Sequence, residues 1–279
     1  MSERITRFQN DGLTFDVRDE GPLDGTPVVL LHGFPERSTS WRHVAPLLHA
    51  RGLRTYAPDQ RGYSPGARPP RRRDYAAGAL VRDALALIET IGTAVHLVGH
   101  DWGAAVGWGV TMTRPGRVRS WTAVSVPHTG AFAASLLTST QGLKSWYMGL
   151  FQLPGLPELS ARWAGGPFDQ AMRASGMTQD DVARFRTEIV EYGALPGGLA
   201  WYRAIPFTSP GAARRQVTVP TTMVWSDGDT AIGRAAVDAT AAWVDAPYDL
   251  VVLEGVSHWI PTQAPDALAD AILARVTTA

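Results

Sequence analysis

A carboxylate between two glycines is the residue best placed for chemistry in this sequence. Gly99-His100-Asp101-Trp102-Gly103 follows the apolar run of residues 95–98 and leads into small residues typical of a closely packed helix. A sharp strand-to-helix turn of this kind holds a nucleophile above the edge of a sheet, and the glycines let neighbouring backbones approach. Asp101 can attack an electrophilic carbon there and form an alkyl ester without a base. The alternative is that the glycines serve only helix packing and Asp101 caps the helix.

Hydrolysis of such an ester needs a base, and His258 is the candidate. It stands in Gly255-Val256-Ser257-His258-Trp259, after the last predicted strand, where it can activate water against the ester carbonyl. An acid that orients the imidazole is expected in residues 226–230, and Asp229 is our choice. Asp227 is the alternative, although its position also suits a turn residue that bonds its own backbone. The order nucleophile, acid, histidine is that of enzymes with a nucleophile on such a turn.

Two backbone amides are expected to stabilise the oxyanion that forms during ester hydrolysis. One is the amide of Trp102, next to the nucleophile. The other is the amide of Phe34 in His32-Gly33-Phe34-Pro35, which follows the apolar run of residues 28–31. The bond before Pro35 is a candidate for the cis isomer, because cis bonds occur at X-Pro in tight functional turns. His32 itself is interpreted as structural.

Composition limits the partners and the chemistry. Lys and Arg number 26, as do Asp and Glu, so the chain lacks the positive field that binding to nucleic acid or an anionic membrane requires. It has no cysteine, which excludes disulfides, thiolate metal sites and cysteine nucleophiles, and Lys144 is its only lysine. His96 and His100 do not share a helix face, so a zinc site is not indicated. We expect neither a metal nor an organic cofactor.

The N-terminal residues are polar and lack the apolar run of a secretory signal. No later segment has the roughly 18 consecutive apolar residues of a membrane span. A soluble cytoplasmic protein is therefore expected, and the sequence leaves its oligomeric state open.

Strands and helices alternate over most of the chain, which predicts an α/β fold with a mostly parallel sheet and helices on both faces. An N-terminal hairpin is predicted to turn at Asp11-Gly12. A helix with Ser40 as its cap follows the first buried strand, and a later helix is predicted to end at Gly92. Besides the hairpin, the predicted strands are residues 28–31, 54–57, 95–98, 119–126, 221–225 and 248–253, of which 28–31 and 95–98 are predicted to be buried.

The alternation breaks between residues 128 and 216. Aromatic residues, glycines and prolines interrupt short helical patches there, and no Val/Ile run recurs. This segment is predicted to be a helical cap inserted into a core domain formed by residues 1–127 and 217–279.

The chain resembles the α/β-hydrolase fold over nearly its full length, and within it the epoxide hydrolases. Four segments carry the resemblance: His32-Gly33-Phe34-Pro35-Glu36, Gly99-His100-Asp101-Trp102-Gly103, Ser145-Trp146-Tyr147 and Trp201-Tyr202-Arg203-Ala204. The resemblance implies a cap with two proton-donating tyrosines, Tyr147 and Tyr202, whereas Tyr192 is interpreted as structural. A phenol with a pKa of about 10 can hydrogen-bond an epoxide oxygen and protonate the developing alkoxide.

The predicted function is hydrolysis of an apolar epoxide to a vicinal diol, with water as the second substrate. Asp101 opens the ring while Tyr147 and Tyr202 protonate its oxygen. Water activated by His258, whose imidazole Asp229 orients, then releases the diol. An apolar substrate pocket is expected. Its predicted lining consists of Phe34, Trp102, Trp146, Phe151 and Trp201.

Two alternatives remain from the sequence. The resemblance also extends to haloalkane and haloacetate dehalogenases, which share the Asp nucleophile and the ester. A halide leaves without a proton and favours N–H donors, whereas Phe34 offers no side-chain donor and Trp102 stands where fluoroacetate enzymes carry Arg. The second alternative is a non-catalytic ligand-binding member of the fold.

Overall fold

Eight strands form one sheet in the part of the chain that the computed structural model describes, residues 3–208 and 215–279. The strands are β1 (Arg7–Asn10), β2 (Leu13–Glu20), β3 (Thr26–Leu31), β4 (Leu53–Pro58), β5 (Val95–His100), β6 (Val118–Val124), β7 (Thr221–Ser226) and β8 (Tyr248–Leu253). Their order across the sheet is β1-β2-β4-β3-β5-β6-β7-β8. β1 and β2 form the predicted hairpin, and β2 pairs antiparallel with β4, whereas all pairs from β4 to β8 are parallel.

Local chemistry accounts for these strands. At the hairpin turn Asp11 and Gly12 have φ angles of 49° and 74°, the left-handed region that an Asp-Gly pair tolerates. β5 and β7 are buried at every position, as expected for parallel strands covered on both faces. Because the carboxyl ends of parallel strands meet at one edge of a sheet, the loops after β3, β5, β7 and β8 lie together there.

The helices of the described residues cover the sheet and fill the long connection between β6 and β7. The helices are α1 (Val44–His49), α2 (Ala77–Ile91), α3 (Trp102–Thr113), α4 (Thr129–Thr138), α5 (Gln141–Lys144), α6 (Trp146–Leu150), α7 (Leu156–Ser160), α8 (Pro167–Ala174), α9 (Gln179–Phe185), α10 (Leu195–Arg203), α11 (Arg234–Asp238), α12 (Ile260–Gln263) and α13 (Pro265–Thr277). Short 3-10 turns and one π-helical turn, Arg186–Glu191, connect some of them. None of the helices within the described ranges is long and apolar enough to cross a membrane.

Two local predictions were wrong. Ser40 does not cap a helix, because it lies inside the 3-10 turn Ser38–Arg42, whose first amide, that of Ser38, donates instead to the Asp59 carboxylate. The predicted strand over residues 119–126 ends earlier, because Ser125 turns the chain with a φ of 67°. The helix predicted to stop at Gly92 does end there, with Gly92 in the left-handed conformation.

The chain leaves the sheet after β6 and returns at β7. Within residues 128–208 the described elements are the helices α4 to α10 with their connecting turns. The division into a core domain and a cap over residues 128–216 stays a prediction.

Candidate active site

Asp101 stands on the predicted sharp turn, between β5 and α3. Its φ of 53° lies in the left-handed region, an uncommon conformation for a residue with a side chain. A Cβ on Gly103 would lie 2.1 Å from the Leu31 carbonyl oxygen, and one on Gly33 would lie 2.4 Å from the Asp101 Cβ. The turn is therefore closely packed, and glycines are required around the carboxylate.

The two oxygens of the Asp101 carboxylate have different partners. The Phe34 amide donates to Oδ1 at 2.7 Å, whereas Oδ2 lies 3.5 Å from the Nε2 of His258. The Trp102 amide belongs to the first turn of α3, where an N–H has no acceptor within the helix. The bond between Phe34 and Pro35, a candidate for the cis isomer from the sequence, is cis. One oxygen is thus held by backbone and the other faces the histidine.

His258 connects this carboxylate to a second one. Its Nδ1 lies 2.7 Å from Oδ2 of Asp229, whose Oδ1 accepts hydrogen bonds from the amides of Ala231 at 2.8 Å and Ile232 at 2.9 Å. Asp227 points elsewhere: its exposed carboxylate accepts the Gly255 amide at 2.8 Å. Of the two candidate acids, the fold brings Asp229 to the histidine and uses Asp227 in a turn.

Backbone contacts also fix the histidine. The His258 carbonyl oxygen accepts a hydrogen bond from the Ser125 hydroxyl at 3.1 Å and lies 3.0 Å from the Nε2 of His100. Since a carbonyl only accepts, His100 carries its proton on Nε2. Burial, followed by the neighbouring His258 charge, lowers the pKa of His100 to about 4, so its ring is neutral.

The charges of the site stabilise a protonated His258. Burial alone would lower the pKa of its imidazole, but the Asp229 and Asp101 carboxylates outweigh burial and raise it to about 10. Burial would likewise raise the pKa of Asp101, yet the hydrogen bond and charge of His258 hold it below its usual range. In the resting site an imidazolium therefore lies between two carboxylates.

The raised pKa predicts a pH-dependent contribution of His258 to stability. A folded-state pKa of about 10 lies above the usual value of 6.5, so the stabilisation is complete below pH 6.5 and is lost as the pH rises through 10. The gap in melting temperature between the wild type and His258→Gln should therefore shrink between pH 7 and pH 10. The exposed His43 provides the control His43→Gln, for which the gap should stay constant. A constant gap for His258→Gln as well would contradict the ion pair.

The two predicted tyrosines meet above the nucleophile. Tyr147 comes from α6 and Tyr202 from α10, and their ring centroids are 6.1 Å apart. Burial, and after it the negative charge of Asp101, raises the pKa of both phenols well above 10. A side-chain hydrogen bond from Trp102 to Tyr202 offsets this shift only in part. Both phenols are therefore neutral.

A cavity of about 640 Å³ joins these groups, within the usual size range of small-molecule sites. Asp101, His258, Tyr147 and Tyr202 all border it. Most of the remaining wall is apolar. It includes Phe34, Trp146, Leu150, Phe151, Leu156, Phe168, Met172 and Trp259. The predicted lining residues Phe34, Trp146 and Phe151 are thus in place.

Trp201 and Trp102 do not border this cavity, and their predicted roles in its lining were wrong. Trp201 is only 1% exposed, because its indole N–H donates to the Arg61 carbonyl at 2.8 Å and its ring stacks on His32. The Trp102 ring packs edge-on to Tyr202 at 5.1 Å. The Trp102 ring therefore contacts the Tyr202 ring rather than the cavity.

The contacts that Gln141 and Lys144 make with the loop that carries Asp229 were not predicted from the sequence. The Lys144 ammonium donates to the main-chain oxygen of Asp229 at 2.8 Å and borders the cavity, and Gln141 is buried beside the same loop. The signal available was a single lysine three residues before a predicted catalytic tyrosine.

Within the described ranges, no three His, Asp or Glu side chains are grouped as metal ligands are.

Comparison with known proteins places the chain in a family. A model described as the alpha/beta hydrolase family matches residues 28–271. The chain is 34% identical to the AB hydrolase superfamily protein YfhM of Bacillus subtilis over 94% of each chain. It is 30% identical to Epoxide hydrolase A of Mycobacterium tuberculosis over 99% of this chain and 97% of that protein.

A crystal structure of an epoxide hydrolase from Vigna radiata superimposes with a TM-score of 0.82 at 27% identity, covering 98% of this chain and 97% of that one. An epoxide hydrolase from metagenomes of hot environments gives a TM-score of 0.84 at 28% identity, over 99% of each chain. The chain belongs to the alpha/beta hydrolase family, in the branch that contains the epoxide hydrolases.

Proposed function

We propose that the protein hydrolyses uncharged, largely apolar epoxides to vicinal diols through an ester on Asp101. The observation that carries this proposal is the placement of two neutral phenols on the wall of the apolar cavity that the Asp101 carboxylate also borders. Apart from Asp101 and His258, Lys144 is the only charged side chain on the described cavity wall, and its ammonium already donates to the Asp229 carbonyl. This favours a substrate without charge. The helices α4 to α10 act in this proposal as the cap that closes the cavity.

In the first step, Oδ2 of Asp101 attacks a ring carbon of the epoxide. The carbon–oxygen bond of the ring breaks, and the oxygen takes a proton from one of the two phenols. Oδ1, held by the Phe34 amide at 2.7 Å, becomes the carbonyl oxygen of the ester. The Phe34 amide therefore lies where negative charge develops in the next step, and the Trp102 amide is the second donor in this proposal.

Formation of the ester changes the ionisation of His258. Alkylation removes the negative charge of Asp101, one of the two charges that raise the pKa of the imidazole to about 10. The imidazolium then releases its proton more readily, and this proton replaces the one that the phenol has transferred. His258 becomes the neutral base that the second step requires.

In the second step, His258 takes a proton from a water molecule that attacks the ester carbonyl carbon. The oxyanion is stabilised by the two amides, and the bond between the carbonyl carbon and the diol oxygen then breaks. One proton of the water ends on the diol and the other on His258. The carboxylate and the imidazolium of the resting site are restored.

A panel of uncharged aryl and aliphatic epoxides, scored together with haloalkanes, tests the proposal. We expect diol from the epoxides and no halide from the haloalkanes. A single turnover in ¹⁸O-water should place the label in Asp101, because the diol receives its second oxygen from the carboxylate. Halide release without diol would identify a dehalogenase, and binding without any turnover would identify a ligand-binding protein. Either result would contradict the proposed function.

A further inference from the structure

Gln141, the first residue of α5, joins this helix to the loop that carries Asp229. Its Oε1 accepts the Gly233 amide at 2.8 Å, and its Nε2 donates to the Ala231 carbonyl at 2.7 Å and to the Ser145 hydroxyl at 3.0 Å. The side chain is only 1% exposed. Residues 229–233 are called the acid loop below. A buried amide with all of these bonds satisfied holds the acid loop firmly, because breaking one bond leaves a buried polar group without a partner.

Lys144, the last residue of α5, adds a second connection to the acid loop. Its Nζ donates to the Asp229 carbonyl at 2.8 Å. The loop backbone passes so close that a Cβ on Gly233 would be 3.4 Å from the Gln141 Oε1 and 3.8 Å from the Lys144 Cδ. Gln141 and Lys144 together are called the latch.

The latch lies directly before one catalytic tyrosine. Tyr147 follows Lys144 by three residues, in α6, which has no fully buried residue but whose Tyr147 and Met148 pack against the hydrophobic core. Leu143 is 78% exposed and Trp146 is 67% exposed. Beside this apolar packing, the hydrogen bonds of the latch are the described hydrogen bonds that join residues 141–147 to the core.

Tyr202 is held differently. It lies 3% exposed on α10, its carbonyl accepts a hydrogen bond from Gln152 at 2.7 Å, and its ring packs against Phe34 and Trp102. A Cβ on Gly197 of the same helix would lie 2.3 Å from the Gly62 carbonyl oxygen, so α10 is in direct backbone contact with the core. None of these contacts involves the latch.

We infer that Gln141 and Lys144 are positioning residues that set the hydroxyl of Tyr147 relative to Asp101. The acid loop provides the fixed reference, because its Asp229 carboxylate is bonded to His258 and His258 faces Asp101. This inference rests on the proposed function, in which Tyr147 donates a proton to the epoxide oxygen. A merely structural role of Gln141 and Lys144 would affect both tyrosines alike. The inference instead requires that the latch acts through Tyr147 and not through Tyr202.

A double-mutant cycle on ester formation tests this distinction. Gln141→Leu is measured in the wild type, in Tyr147→Phe and in Tyr202→Phe, with rapid quenching and the mass of the peptide that contains Asp101 as the readout. We expect Gln141→Leu to slow ester formation about 10-fold in the wild type and again in Tyr202→Phe, but less than about 2-fold in Tyr147→Phe. Equal slowing in all three backgrounds would overturn the positioning role.

Three further variants keep the test independent of folding. Lys144→Met should slow ester formation with the same dependence on Tyr147, and Lys144→Arg should restore most of the rate because a donor returns. Thr39→Val removes a hydrogen bond to Glu188 that also joins the core to the insertion, far along the chain from Tyr147, and should leave the rate unchanged. Slowing by Thr39→Val equal to that by Lys144→Met would overturn the inference. Unchanged ester formation in Tyr147→Phe would overturn the role of this phenol in the proposed function, and the inference with it. This outcome differs from failure of the inference alone, because the Tyr147→Phe variant by itself reveals it.

Discussion

His258→Gln should stop the reaction after its first chemical step and trap Asp101 as an alkyl ester. Glutamine cannot accept a proton from water, and loss of a general base typically slows a step by 10²- to 10⁴-fold, so turnover should fall about 10³-fold. Ring opening needs only the Asp101 carboxylate and a phenol and should persist. The ester is measured as a mass increase on the peptide that contains Asp101, equal to the mass of the epoxide.

The two aspartates that follow β7, Asp227 and Asp229, offer a matched pair of controls for this experiment. Asp229→Asn should also accumulate ester, because the Nδ1 of His258 loses the carboxylate that lies 2.7 Å away. Asp227→Asn should turn over normally, because its carboxylate is exposed and accepts only the Gly255 amide. A mass increase on another peptide, or none at all, would contradict Asp101 as the nucleophile.

The sequence predicted the nucleophile turn and its partners because each is encoded locally. A glycine-flanked Asp101 after a buried strand specifies its own conformation, and His258 follows the last strand of a parallel sheet whose carboxyl ends meet at one edge. Parallel pairing of β3 to β8 then brings the separate loops together. The proximity of Asp101, Asp229 and His258 therefore follows from the order of the strands along the chain and their parallel pairing.

Side-chain direction and distant contacts were not predictable in this way. Trp201 looked like a pocket residue, but its indole N–H needs an acceptor when buried and finds it in the Arg61 carbonyl, away from the cavity. Asp227 and Asp229 share one loop, and only the direction of each side chain separates their roles. The bonds of Gln141 to residues about 90 positions away have no counterpart in local sequence pattern.

Tyr147→Phe and Tyr202→Phe together should nearly abolish ester formation from epoxides. Burial and the charge of Asp101 keep both phenols protonated, so each can donate to the epoxide oxygen. Each single change should slow ester formation about 10- to 10²-fold, since the other phenol still donates, and the double change should slow it about 10⁴-fold. Phenylalanine retains the aromatic packing against Phe151 and Phe34, so the readout separates proton donation from cavity shape.

The control for the tyrosine pair is Tyr192→Phe, because the Tyr192 ring packs under the guanidinium groups of Arg37 and Arg68 rather than against the cavity. Its ester formation should equal that of the wild type. A double variant with unchanged epoxide turnover would remove the phenols from the mechanism. A double variant that binds the diol product as tightly as the wild type but forms no ester would assign the phenols to protonation of the epoxide oxygen, since the cavity and Asp101 are then intact.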